Sequence, residues 1–423
     1  MLEVSLLGTV VALVVAIVSI LRNYPPAYGM LLGAAIGGLV GGLELSETVS
    51  VMIDGAKGIM PAVLRICAAG VLAGMLIESG AASRIANTII DKFGDKFALL
   101  AIGLSVTTLT AVGVFVDISV ITVAPVALTI GKKLGYSRVG ILLMMIGCGH
   151  AGNICSANPN SIAIADAFNL PLTSVMAVGI IPAIVGIGFC YFLATYINKK
   201  RGADLVDDQF FESHSDTNLL PSFFSSIIGP ITAIILLALR PIAGINIDPL
   251  IALPVGGVIG ALAMGKKDKI GYYSTQGLAK MAPVCIMLLG TGALAGIITV
   301  STLKQDMLAL IDMFGLPAYV LAPISGALMS FATASTTAGA AVASNVFGPS
   351  LLQLGVSGLS AGAMIHAGAT VLGDMPHGSF FHSSAGAVNM QIKERLQVLP
   401  YEIAAGAVLA ITSTLIFGVF SIF

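Results

Sequence analysis

Ten apolar runs, at residues 4–21, 27–43, 61–79, 139–166, 173–197, 222–239, 249–265, 283–301, 358–390 and 401–421, are each long enough to cross a hydrocarbon core about 30 Å thick. In lipid a backbone must satisfy its own N–H and C=O groups, so runs of this length fold as membrane-spanning helices. Two further stretches, 97–131 and 317–352, each have room for two short helices and carry small hydroxylated residues near their middles, which marks them as re-entrant hairpins. Read as pairs of complete spans, they would raise the helix count and leave the parity of the topology unchanged. The fold class expected is an all-α polytopic membrane protein of about ten transmembrane helices plus two re-entrant hairpins. Residues 4–21 lack a basic leader, follow Glu3 and precede Arg22, so they count as the first span and not as a signal sequence.

The rest of the composition narrows the function. Only 10% of residues are charged and the net charge is -1, which leaves no footprint for nucleic acid. Cys67, Cys148, Cys155, Cys190 and Cys285 all fall in apolar stretches without metal-ligand or disulfide spacing, as buried free thiols do. No HExxH motif and no Cys/His metal-ligand spacing is present, so neither catalytic residues nor a metal site is expected.

Two of the spans are interrupted by polar inserts. Residues 150–161 read His-Ala-Gly-Asn-Ile-Cys-Ser-Ala-Asn-Pro-Asn-Ser, and residues 366–383 open with the same His-Ala-Gly triplet; four of the five histidines lie in these inserts. Irregular backbone at membrane depth is tolerated where it is buried in protein or lines a cavity, and paired breaks of this kind mark the binding site of a secondary transporter. Asn158-Pro159 has the form of an N-cap followed by proline at the first helical position, so a half-helix would restart there with its electropositive end toward the site, a seat for a carboxylate. Pro376 is expected to restart the second insert in the same way. The plainer alternative is a Pro-kinked helix whose polar groups satisfy one another.

Candidate substrate-binding residues are therefore His150, Asn153, Ser156, Asn158, Asn160 and Ser161 of the first insert and His377 of the second. The hairpins add Thr110, beside Thr107, Thr108 and Gly113, and the run at 333–339 with Ser335, Thr336 and Thr337. Ionisable groups at membrane depth are functional candidates by default, here Asp117, His150, Asp374, His377 and His382, with Asp117 and Asp374 as proton-coupling groups. For His366 and His382 a neutral ring bonded to backbone is the competing role. Hydroxyl-rich tips suit Na⁺ as well as a polyhydroxy acid, so the residues alone leave the coupling ion, H⁺ or Na⁺, open. Arg65 is expected to snorkel to the outer interface, with Glu78 at the inner end of the same span.

Basic clusters at Lys132, Lys133 and Arg138, at Lys199, Lys200 and Arg201, at Lys266, Lys267 and Lys269, and at Lys393 and Arg395 fall on one side of this topology. The positive-inside rule makes that side cytoplasmic and puts both termini outside, with Asp166 and Asp248. The halves also repeat: GAKGIMP at 55–61 parallels GLAKMAP at 277–283, GVLAG at 70–74 parallels GALAG at 292–296, and Asp91-Lys-Phe-Gly parallels Asp312-Met-Phe-Gly. With five crossings in each, residues 1–197 and 222–423 form two inverted repeats joined by a cytoplasmic linker at 198–221.

Taken together, Ser79-Gly-Ala-Ala-Ser-Arg-Ile-Ala86, His150 with Asn158-Pro159, the run at 333–339 and Pro376-His377 resemble the gluconate:proton symporter family of the ion transporter superfamily, over nearly the whole chain. Asn158 stands where that family has a histidine, and Gly373 where it has an aspartate, with Asp374 one residue closer to the Pro-His pair. The resemblance implies a permease of the inner membrane, not an enzyme, importing a small organic anion such as gluconate or a related sugar acid by proton symport. Superfamily relatives imply elevator-like alternating access and a homodimeric scaffold in the bilayer. A Na⁺-coupled di- or tricarboxylate carrier or a Na⁺/H⁺ antiporter is the nearest alternative.

Overall fold

Local chemistry sets many of the helix ends. Ser137, Ser222, Ser357 and Asp248 each cap a helix, their side chains accepting a first-turn N–H from Gly140, Ser225, Ser360 and Leu250. Gly135 and Gly244 close the preceding helices in the left-handed region, at φ 74° and 69°. The computed structural model describes residues 3–22, 24–201, 220–302, 317–376 and 378–422, and among these the regular elements are helices, with one isolated bridge between Val4 and Ser301.

The apolar runs lie on helix apart from the two broken ones. Among the described residues, six stretches are long and apolar enough to cross a membrane by length and composition, among them Met60–Glu78 and Leu172–Lys200. Others, such as Pro26–Val40 and Pro249–Ala263, are shorter apolar helices. The polar segment before the third run folds as a separate helix, Leu45–Gly58, started by a capping box between Glu44 and Glu47. Its counterpart by sequence match in the second half is continuous with the following run, in the 30-residue helix Ile270–Thr299.

Two helical groups pack side by side. In the first, Ile270–Thr299 lies against Met60–Glu78 and Leu45–Gly58, with glycine carrying the close approaches. Gly55 meets Gly292 and Gly296, while Gly277 meets Gly70 and Gly74, so that a Cβ at either position would collide with facing backbone. The second group is built round Arg138–Ile154, in which every residue from Val139 to Ile154 is buried. Against it packs a helical hairpin, Ala98–Ala111 and Val116–Leu134, turning at 112–115 with Gly113 at φ 94°. A second hairpin, Leu321–Thr333 and Thr336–Gln353, turns in two residues at Ala334 and Ser335 and packs against Gly358–Ala369.

Both polar inserts break their helices, but differently. The first stops at Ile154 and restarts as Pro159–Ala167, with Asn158 as N-cap and Pro159 at the first position. The second stops at Ala369 and restarts at Ser379, behind Gly378, and not at Pro376. Met375 has no side-chain acceptor to cap a helix beginning at Pro376, and a residue before proline is disfavoured in the helical region; the chain turns instead, with Gly378 N–H donating to the Met375 carbonyl at 2.9 Å. Arg395, expected in a basic cluster, has a fully buried side chain.

Candidate functional site

The two breaks meet. His150 Nε2, on the first broken helix, lies 2.8 Å from Asp374 Oδ2, in the second break, and both residues are buried. Asn158 ties the first break together: its Oδ1 accepts from Ser161 N–H at 3.0 Å, and its Nδ2 donates to the Asn153 carbonyl and Oδ1 at 2.8 and 2.9 Å. Across the gap, Thr337 Oγ1 of the second hairpin donates to Asn160 Oδ1 at 2.6 Å. The cap, the break and the opposite hairpin thus form one polar unit.

Beside this unit opens a cavity of about 340 Å³, a size suited to a small molecule. It is lined by residues 115–118 at the first hairpin turn, by 334–337 at the second, by Asn153 of the first broken helix and by Gly373, Asp374, Ser379 and Phe380 of the second. Lys280, Pro283 and Val284 of Ile270–Thr299 form its remaining wall. Ala334 holds φ 45°, a left-handed conformation uncommon for a residue with a Cβ, and such backbone clusters at ligand sites.

Of the residues singled out by sequence, Asp117, Asn153, Ser335, Thr336, Thr337 and Asp374 line the cavity. His150 stands behind Asp374, and Asn160 behind Thr337. Ser156 and Asn158 are buried within the break itself and Ser161 in the first turn of the helix that follows it, Ser156 Oγ donating to the Asn153 carbonyl. Thr110 is buried in its helix, its hydroxyl turned back on the carbonyls of Val106 and Thr107; Thr108 likewise bonds Leu104, and Thr107 the Cys148 carbonyl. His377 lies outside the described residues. His366 is buried, whereas His382 is exposed with its ring edge-on to Phe381.

A second polar cluster gathers elsewhere. Arg65 pairs with Asp166 and with Asp248, the latter at 2.6 Å from Nη2, beside a cavity of about 270 Å³ that Arg240 and Asn246 also line. The guanidinium and the Leu250 N–H hold the Asp248 carboxyl below its ordinary value, although partial burial opposes them. Its contribution to stability is therefore present above the ordinary aspartate range and lost as pH falls through the lowered value.

A family model described as GntP family permease matches residues 2–420. The chain belongs to the GntP family of permeases. A protein of Haemophilus influenzae named only as a transporter is 60% identical over 420 residues, covering 99% of this chain and 100% of its own. A gluconate permease of Zymomonas mobilis is 21% identical over 88% of each chain. Among solved structures, MtrF of Neisseria gonorrhoeae, from a class of antimetabolite efflux pumps, has a similar fold, with a TM-score of 0.64 at 14% identity over 87% of this chain and 84% of its own. The chain is thus a membrane transporter and not an enzyme, as the resemblance implied.

The places of three charged residues of this GntP permease escaped the sequence reading. Arg395 donates from Nη1 to Glu402 Oε2 at 2.9 Å and from Nε to Ser384 Oγ at 3.0 Å, with its guanidinium 4.7 Å over the Phe381 ring. Glu402, its partner, is itself buried. A Lys/Arg cluster between apolar runs reads alike whether its members reach water or turn inward, and Glu402 sits one residue inside the start of a run. Lys280 was visible only as part of the repeated GLAKMAP motif.

Proposed function

We propose that this permease imports a small organic acid of the gluconate class by proton symport, moving its site across the bilayer by an elevator-like mechanism. The observation that carries the reading is the single cavity lined by both hairpin turns and both helix breaks, with hydroxyls and an amide from Asn153, Ser335, Thr336 and Thr337 beside the carboxylates of Asp117 and Asp374. Hydroxyl and amide groups match a polyhydroxy chain, and the gluconate permease among the relatives favours that cargo. An anion arriving beside Asp374 raises the proton affinity of the buried Asp374–His150 pair, so that substrate and proton bind together.

The same reading takes residues 1–197 and 222–423 as inverted repeats joined by the linker at 198–221. Its support is reciprocal packing: Gly55 meets Gly292 and Gly296, and its sequence counterpart Gly277 meets Gly70 and Gly74, the counterparts of those two. Gly8 against Gly37 and Gly229 against Gly260 repeat another contact at nearly the same offset. In an elevator the hairpins and broken helices would travel together past the group containing Ile270–Thr299, with that group forming the homodimeric scaffold. Both termini would be external, and Arg65, Asp166 and Asp248 would close the outer end. The cavity shares Pro283, Val284, Ala334, Ser335 and Ser379 with a larger cleft of about 620 Å³ that reaches Tyr24 and Pro25 between the first two helices, on the cytoplasmic side of this topology. The conformation is then inward-facing.

Counterflow in proteoliposomes with labelled gluconate tests the proposal, with H⁺ and Na⁺ gradients imposed in turn. Accumulation should follow the H⁺ gradient. Uptake that follows Na⁺ and ignores pH would replace it with the Na⁺-coupled carrier.

A further inference from the structure

The cavity's charges are lopsided. Among its described lining residues are two carboxylates, Asp117 and Asp374, and one cation, Lys280. An organic anion entering between two carboxylates meets repulsion unless one is protonated or a cation intervenes. Lys280 is held loosely: its Nζ lies 3.5 Å from Glu78 Oε1, beyond ordinary hydrogen-bond length, and the two side chains keep 33% and 22% of their surface. A long, flexible ammonium with such a partner can swing to another oxygen at small cost.

The origin of the lysine is as informative as its charge. The polar groups of the cavity come from hairpins and broken helices, whereas Lys280 rides on Ile270–Thr299, which is locked through glycine contacts to Met60–Glu78, the helix that also carries Glu78. Lys280 and Glu78 thus belong to one helical group and the remaining charged lining to the other.

We infer that Lys280 is a state-dependent carboxylate receptor: paired with Glu78 when the cavity is empty, it transfers to the carboxylate of the organic acid when the hairpin turns lie beside it. This rests on the reading that the cargo is a small organic acid and that the open side is cytoplasmic. Because the lysine stays with its helical group while the hairpins move, it contributes affinity in the inward-facing state and none in the outward-facing one. It would draw cytoplasmic acid into the site and hold it for the return step, and so set the balance between import and exchange.

Radiolabelled gluconate transport, measured in right-side-out and inside-out vesicles, tests the inference. Lys280→Gln should raise KM at the cytoplasmic face about ten- to a hundredfold, the range of one charge-assisted hydrogen bond, and leave KM at the outer face unchanged. Lys280→Arg should restore most of the cytoplasmic affinity, and Glu78→Gln should lower cytoplasmic KM by freeing the lysine. A purely structural Lys280–Glu78 pair predicts another pattern, in which Lys280→Gln and Glu78→Gln both cut the amount of folded protein while KM at both faces stays at the wild-type value. That result, or an equal rise of KM at both faces, overturns the inference. Failure of the wild-type protein to carry gluconate or a related acid from either face instead sinks the proposed function, and is seen before any variant is made.

Discussion

At the scale of single residues, the contact between His150 and Asp374 concentrates the chemistry. Both side chains are buried and each is the other's hydrogen-bond partner. Asp374→Asn keeps a group that can bond His150 but removes the carboxylate. The expected outcome is uptake that no longer depends on pH, with exchange of preloaded substrate at least partly intact, since exchange need not release the proton; Asp117→Asn is the second variant to compare. Unaltered proton-driven accumulation in both variants would move the coupling role to His150. Each member was legible as a candidate because an ionisable residue inside an apolar run stands out against its neighbours, as Asp374 and His150 do, but only the fold pairs them. Arg395 and Glu402 were not, because their sequence neighbourhood is that of an interface and only the fold turns them inward. Breaking a buried pair strands a charge, which costs about 3–5 kcal/mol. Glu402→Gln should therefore lower the melting temperature sharply in detergent, and Arg395→Met with Glu402→Leu together should recover part of the loss. A thermal-shift series on the three proteins checks both expectations.

At the scale of elements, the two breaks show which signals are local. Asn158 followed by Pro159 specifies a helix start within four residues, since the cap acceptor, the proline and the N–H that is capped are all adjacent in sequence. Pro376 carried only half of that signal, and the helix starts three residues later, at Ser379. The second hairpin turn was also legible only in outline: a run of small hydroxylated residues located it, but nothing local distinguishes the residue that takes φ 45°, Ala334, from Ala338. The cap can be tested directly. Asn158→Ala loses the Ser161 N–H bond and both bonds to Asn153, which should cost about 1–2 kcal/mol. Asn158→Ser, which can still cap, should fall between it and wild type. Chemical denaturation in mild detergent would separate the three, and equal stability of all three would show that the break is held from elsewhere.

At the scale of the whole molecule, the composition and the apolar runs announced a membrane protein and the paired polar inserts a transporter, but how its helices divide into two groups depends on contacts some two hundred residues apart. The Arg65 cluster offers a direct test of that division. Asp248 caps Pro249–Ala263, which packs against Met60–Glu78, the helix carrying Arg65; Asp166 lies near the end of Pro159–Ala167, which packs on the second hairpin. If the hairpins and broken helices travel as a body, the Arg65–Asp166 contact must open in each cycle while the Arg65–Asp248 contact persists. Cysteines placed at these positions and bridged by a bifunctional methanethiosulfonate reagent about as long as the lost arginine side chain, in a background freed of the five native thiols because Cys67 and Cys285 already lie 3.5 Å apart at sulfur, convert each contact into a reversible lock. Bridging Arg65→Cys with Asp166→Cys should abolish transport and reduction restore it. Bridging Arg65→Cys with Asp248→Cys should cross-link equally well and leave transport running at its reduced-state rate. Each variant serves as its own control, so the lost ion pairs do not confuse the comparison. Transport that survives the first cross-link means that the moving boundary does not pass between Arg65 and Asp166, and transport stopped by the second means that Pro249–Ala263 moves against Met60–Glu78.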